Sequence, residues 1–150
     1  MADHENTRRF VTVPNPEALG ASSDFLDGCI ADFAVPMRTG YSLKVVADEL
    51  FSNIVYYSKA SEASILFRMD DEQITLVFTD DGLPYNPMEA EEPDITLGAE
   101  ERSIGGLGLL MVKKMAESVA YDYADQKNRL TVVLSKTPRK KTMRLEDFDL

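Results

Sequence analysis

The stretch from Glu62 to Asp80 constrains the fold more than any other part of the chain. Glu62–Met69 and Gln73–Thr79 alternate or cluster apolar side chains on either side of Asp70-Asp71-Glu72, which is the pattern of an antiparallel hairpin. A sheet built on such a hairpin has an apolar face that another layer must cover. The second strand runs directly into Asp80-Asp81-Gly82, so any chemistry those residues carry stands at the end of a sheet.

The covering layer is legible as three helical patterns. Asn15 followed by Pro16 is a helix start with proline at the first helical position. Apolar spacing through Leu19, Phe25, Leu26, Ile30 and Phe33 predicts a helix ending near Pro36. A second helix is predicted over Ser42–Ser58, with Leu43, Val46, Ala47, Leu50 and Ile54 as one stripe. A third, Ile104–Glu117, follows a glycine cluster. Two further strand signals complete the pattern. Arg8–Val13 is a short β-branched strand, and Val119–Asp125 with Arg129–Leu134 predicts a final hairpin around Gln126-Lys127-Asn128. Leu83–Ser103 is rich in proline, glycine and acidic residues and reads as a long surface loop, and the polar tail from Lys136 is expected to fray. The element order predicts an α+β fold: a two-layer α/β sandwich, with a mixed, mostly antiparallel sheet carrying helices on one face. One domain is expected over residues 1-150, with its core at about 8-135.

Charge and residue scarcity exclude several functions. With 26 acidic against 16 basic residues the formal net charge is -10, which repels phosphate backbones and anionic membranes, so no nucleic-acid or membrane partner is expected. One cysteine, Cys29, and one histidine, His4, leave no ligand set for a His/Cys zinc site and no histidine-based nucleophile arrangement. No GxxxxGK[ST] phosphate loop occurs. The opening residues lack a secretion signal and no apolar run approaches the ~20 residues of a membrane span, so a cytoplasmic setting is expected. Catalysis, if present, rests on carboxylates, amides and glycines.

Three clusters carry such groups. Glu49 and Asn53 stand one helical turn apart at the border of the apolar stripe. They pair a carboxylate able to accept a hydroxyl proton with an amide oxygen suited to Mg²⁺, although such pairs are also ordinary on a solvated helix flank. Asp80-Asp81-Gly82-Leu83-Pro84-Tyr85-Asn86-Pro87 joins a carboxylate, able to accept a base's exocyclic amine, to a glycine that permits close backbone approach. The same residues are those of a simple turn. Gly105-Gly106-Leu107-Gly108 opens the third helix, where exposed N–H groups suit phosphates; a hinge or tight helix packing uses glycines equally well.

In this order, DELFSN, TDDGLPYNP and GGLGLLMVKK resemble the three nucleotide-binding boxes of the GHKL, or Bergerat-fold, ATPase superfamily, over roughly Arg8 to Ser135. The small size and the DDGxPYNP wording are similar to the stand-alone anti-sigma-factor serine kinases. The resemblance implies ATP and Mg²⁺ as cofactors, Glu49 as general base, Asn53 as the magnesium ligand and Asp80 as the partner of the adenine amine. It implies further that Gly82 shapes the adenine pocket, that Gly105, Gly106 and Gly108 anchor a lid and meet the phosphates, and that Thr131 supports the aspartate. The implied partner is a sigma factor or an anti-anti-sigma protein phosphorylated on serine, with homodimerisation implied by the family alone. Three departures stand out. Pro84 takes the place of a glycine, and Tyr57, where many relatives have histidine, is expected to pack. The loop carries Glu89, Glu91, Glu92, Asp94, Glu100 and Glu101 against Arg102, an electrostatic obstacle to closing over phosphates. That loop keeps a second reading open, a non-catalytic or weakly hydrolysing ATP-dependent protein-binding module.

Overall fold

The computed structural model of the chain describes residues 6–89 and 106–137. Its strands are β1 (Thr7–Thr12), β2 (Ala63–Met69), β3 (Gln73–Asp80), β4 (Ser118–Ala124) and β5 (Lys127–Ser135), and its α-helices are α1 (Pro16–Asp32), α2 (Met37–Tyr57) and α3 (Gly106–Met115). The strands form one sheet in the order β1-β2-β3-β5-β4. Every pairing among them is antiparallel, so the expected mixed sheet is wholly antiparallel over the described residues. The α+β class holds.

Strand register decides which side chains meet the helices. Phe10, Ile65, Phe78, Leu130 and Tyr121 lie opposite one another across the five strands, and the row beside them is Ala63, Asp80, Asn128 and Tyr123. Because side chains alternate along a strand, Ile74, Leu76, Phe78 and Asp80 share one face of β3, and all are buried. Asn128, Leu130, Val132 and Leu134 do the same in β5. Against this face pack Leu26 of α1 and Leu43, Val46, Leu50 and Phe51 of α2. Phe10 stacks on Phe25 with centroids 5.4 Å apart and meets Phe51 edge-on at 6.4 Å, tying the edge strand to both helices.

The helix ends depart from expectation for local reasons. The Asn15 side chain caps α1 by accepting from Ala18 N–H at 3.0 Å. The helix stops at Asp32, short of Pro36, because Ala34 turns left-handed at φ 51°. Val35 N–H then bonds Ile30 O at 3.0 Å and Ala34 N–H bonds Ala31 O at 3.3 Å, a closing motif usually built on glycine. Helix α2 begins at Met37 rather than Ser42, running through Gly40. An interior glycine costs ~1 kcal/mol relative to alanine, and a Cβ there would make ordinary van der Waals contact with the Ile30 side chain of α1, 3.4 Å away. Thr39 donates to Lys136 O at 2.8 Å, and Lys136 N–H bonds Glu72 O at 2.8 Å. The start of the tail is therefore anchored, not frayed; residues 138–150 lie outside the described residues.

The last hairpin turns on two residues, Asp125 and Gln126, with φ 54° and 62°, the backbone of a type I′ turn. The expected three-residue turn is shorter than predicted, and Lys127 and Asn128 belong to β5. Tyr57, expected to pack, is 47% exposed. No helix among the described residues is long and apolar enough to cross a membrane.

Candidate functional site

The end of the sheet under α2 opens as a small pocket, partly open to solvent. Leu50, Asn53 and Ile54 of α2, Phe78 and Asp80 of β3, Leu83 and Tyr85 of the following loop, and Tyr121, Asn128 and Leu130 of the outer hairpin line it. Apolar walls with a few convergent polar groups are the usual composition of a ligand site.

The two neighbouring aspartates divide their roles because strand alternation sends them to opposite sides. Asp80 is buried and borders the pocket. Its Oδ1 accepts from Gly82 N–H at 2.9 Å and from the Asn128 amide at 3.1 Å. Burial pushes its carboxyl up from the ordinary value, while the Gly82 and Asn128 hydrogen bonds pull it back and the charge of Asp81 adds to the rise. Asp81 is exposed and turned away, accepting from the backbone N–H groups of Ser61 and Glu62 at 2.7 and 3.0 Å and from the Ser61 hydroxyl; these bonds hold its carboxyl below the ordinary value. Gly82 is required where it stands: a Cβ would lie 2.1 Å from Ser58 O, and Leu83 N–H bonds that same oxygen at 3.0 Å.

Asn128 is the polar residue that the sequence pattern concealed. It is 5% exposed and makes contact with β3, β4 and the loop after β3. Its amide nitrogen donates to Asp80 Oδ1 and to Leu83 O at 2.9 Å, and its Oδ1 accepts from Tyr85 N–H at 3.0 Å and Tyr121 OH at 2.5 Å. Thr131, expected to support Asp80, lies opposite Val77 in the register. An odd step along β5 puts it on the other face of the sheet, so Asn128 holds the aspartate instead.

Glu49 and Asn53 share one face of α2, as their spacing predicts, and serve adjoining cavities. Asn53 borders the Asp80 pocket. Glu49 borders a groove between α2 and α3 with Val45, Asp48, Ser52, Leu110, Met111 and Lys114. Its Oε1 is buried and has no hydrogen-bond partner among the described residues, and burial pushes its carboxyl up. Gly108, in the first turn of α3, lies directly on this carboxylate: a Cβ there would be 2.1 Å from Glu49 Cδ. Gly106 is the first residue of α3, and the amide-rich end of that helix favours negative charge. Gly105 and the acidic stretch beyond Glu89, including Glu91, Glu92, Asp94, Glu100, Glu101 and Arg102, lie outside the described residues.

These groups fit a magnesium nucleotide. An acceptor carboxylate at the end of an apolar slot suits a base bearing an amine, and a glycine loop brings backbone close to it. An orphaned carboxylate oxygen lies one turn from an amide oxygen, beside a helix N-terminus. Among the described residues no three His, Cys, Asp or Glu side chains are grouped to hold a metal ion. Magnesium carried by a nucleotide asks for only one or two protein oxygens, with phosphates and water completing its shell.

Helices on one face of an antiparallel sheet, with this pocket at its end, agree with sequence comparison. The model of the histidine kinase-like ATPase domain matches residues 12–134, and the chain belongs to that family. Among characterised proteins it is similar to the serine/threonine-protein kinase BtrW of Bordetella bronchiseptica, with 25% identity over 105 residues, covering 67% of this chain and 74% of that protein.

Proposed function

We propose that the chain is a single ATP-binding domain acting as an anti-sigma-type regulatory serine kinase, which binds an anti-anti-sigma-like partner and phosphorylates it on serine. The observation that carries this reading is the pairing on α2 of Glu49, whose buried Oε1 lacks a partner among the described residues, with Asn53, which borders the pocket containing Asp80. One helix thereby links a proton acceptor to a recognition pocket. Similarity to a serine/threonine-protein kinase supports the same reading.

In this reading Asp80 accepts the adenine amine, Gly82 lets the loop close beside it, and Asn53 supplies an oxygen to Mg²⁺. Gly105, Gly106 and Gly108 present backbone N–H groups to phosphates at the start of α3. Bound Mg²⁺ neutralises charge that builds on the phosphate oxygens. Glu49 takes the proton of the serine hydroxyl as its oxygen bonds to the γ-phosphorus, the bond to the departing ADP oxygen breaks, and ADP leaves. The added phosphate carries about -1.5 to -2 charges, and on a chain of net charge -10 that repulsion loosens the phosphorylated partner. A sigma factor then competes for the freed protein, in a cytoplasmic setting and with the chain as a possible homodimer.

Incubating the protein with Mg-ATP and a serine-bearing antagonist of this class, followed by mass spectrometry of the antagonist, tests the reading. One added phosphate on serine is expected. A partner that binds only with ATP present and gains no phosphate would instead establish the non-catalytic binding module.

A further inference from the structure

We propose that Asn128 is a specificity-determining positioning residue, which makes the pocket select a purine bearing a 6-amino group by holding Asp80 as a pure hydrogen-bond acceptor. This rests on the ATP-binding reading above, and it concerns a residue outside the three motifs that suggested that reading.

The hydrogen bonds around Asn128 admit one orientation of its amide. The nitrogen end faces two acceptors, Asp80 Oδ1 at 3.1 Å and Leu83 O at 2.9 Å, with Gly82 O at 3.5 Å. The oxygen end faces two donors, Tyr85 N–H at 3.0 Å and Tyr121 OH at 2.5 Å. Reversing the amide would set its oxygen against a carboxylate and a carbonyl and its NH₂ against a backbone N–H, keeping only a bond to the Tyr121 hydroxyl, which can accept as well as donate. The network therefore fixes a donor toward Asp80.

That donor, with Gly82 N–H at 2.9 Å, occupies Asp80 Oδ1 and leaves Oδ2 for the pocket. A carboxylate oxygen only accepts. A 6-amino purine offers it a donor, whereas a 6-oxo purine offers a second acceptor and leaves both buried groups unpaired. The Asn128 amide also holds Leu83 O and Tyr85 N–H, so the loop residues that wall the pocket are set in register with the aspartate by the same side chain.

The test compares ATP with purine riboside 5′-triphosphate, which differs only in lacking the amine, on wild type, Asn128→Ala and the isosteric Asn128→Asp, with thermal unfolding as a check of folding. Wild type is expected to prefer ATP by about tenfold or more, the worth of a hydrogen bond to a charged acceptor. In both variants the preference is expected to collapse to about threefold or less, through weaker ATP binding and not tighter analogue binding. Asn128→Asp keeps the acceptor for Tyr85 and Tyr121 and sets a second carboxyl beside Asp80, so it is compared at a pH where both are ionised, and it carries the test if Asn128→Ala does not fold. A folded variant that weakens both ligands equally and keeps the wild-type preference overturns the proposal alone, since that is what a merely structural residue would do. Wild type that binds neither ligand overturns the ATP-binding reading and this inference with it.

Discussion

Gly108 and Glu49 touch across the α2–α3 interface, so closely that a Cβ at position 108 would stand 2.1 Å from the Glu49 carboxyl carbon and from its Oε2. The glycine thus gives the carboxylate its place as well as opening the helix. The atoms in the way are the far end of a flexible side chain, so an added methyl can push the carboxylate aside without disturbing the backbone.

Gly108→Ala is therefore expected to fold with a Tm close to wild type, since alanine also favours a helix interior, while serine phosphorylation falls by about tenfold or more as Glu49 is displaced from its post. Melting curves and initial rates of phosphate transfer check this. Unchanged transfer would separate Glu49's position from its proposed role.

Glu49→Gln is expected to retain ATP affinity and to lose phosphate transfer by about 10²–10⁴-fold. It also has a signature in stability. Burial raises the Glu49 carboxyl above its ordinary value of 4.5, so between the ordinary and the raised value the folded protein binds more protons than the unfolded chain. Ionised Glu49 then costs stability above that window, and the cost disappears as pH falls through it. The variant is expected to melt above wild type at neutral pH, with the gap closing toward pH 4.5. A gap independent of pH would contradict the burial of this carboxylate.

Gly82→Ala meets a different neighbour. Its Cβ would lie 2.1 Å from Ser58 O and 2.8 Å from Ser58 C, which are backbone atoms at the end of α2 and cannot swing away. Overpacking of this kind costs about 1–3 kcal/mol, and the Leu83 N–H bond to Ser58 O is lost with it. A fall in Tm of several degrees and weaker ATP binding are expected together. Wild-type stability would mean the loop can move off Ser58 freely.

Much of the site is legible in the amino-acid sequence alone. Period-two alternation through Ile74, Leu76 and Phe78 continues to Asp80 and puts that carboxylate on the covered face, and the spacing of Glu49 and Asn53 places them on one side of α2. Asn128 was hidden by its neighbours, because Gln126-Lys127-Asn128 has the composition of a turn while the backbone turns at Asp125 and Gln126. The signal lay in running the alternation of Leu134, Val132 and Leu130 one step further back, where a polar side chain on an apolar face marks a residue with work to do. The same parity moves Thr131 to the opposite face. The start of α2 was concealed by Gly40, a weak helix former that α2 nevertheless runs through from Met37.

The central claim is that the Asp80 pocket binds the adenine of ATP, and calorimetric titration of wild type and Asp80→Asn with ATP, with and without Mg²⁺ and with GTP as control, tests it most directly. Magnesium-dependent binding of ATP in preference to GTP, weakened about tenfold or more in the variant, is the predicted result. Equal ATP binding by the two proteins would contradict the assignment of Asp80, and no binding at millimolar ATP would contradict the account as a whole.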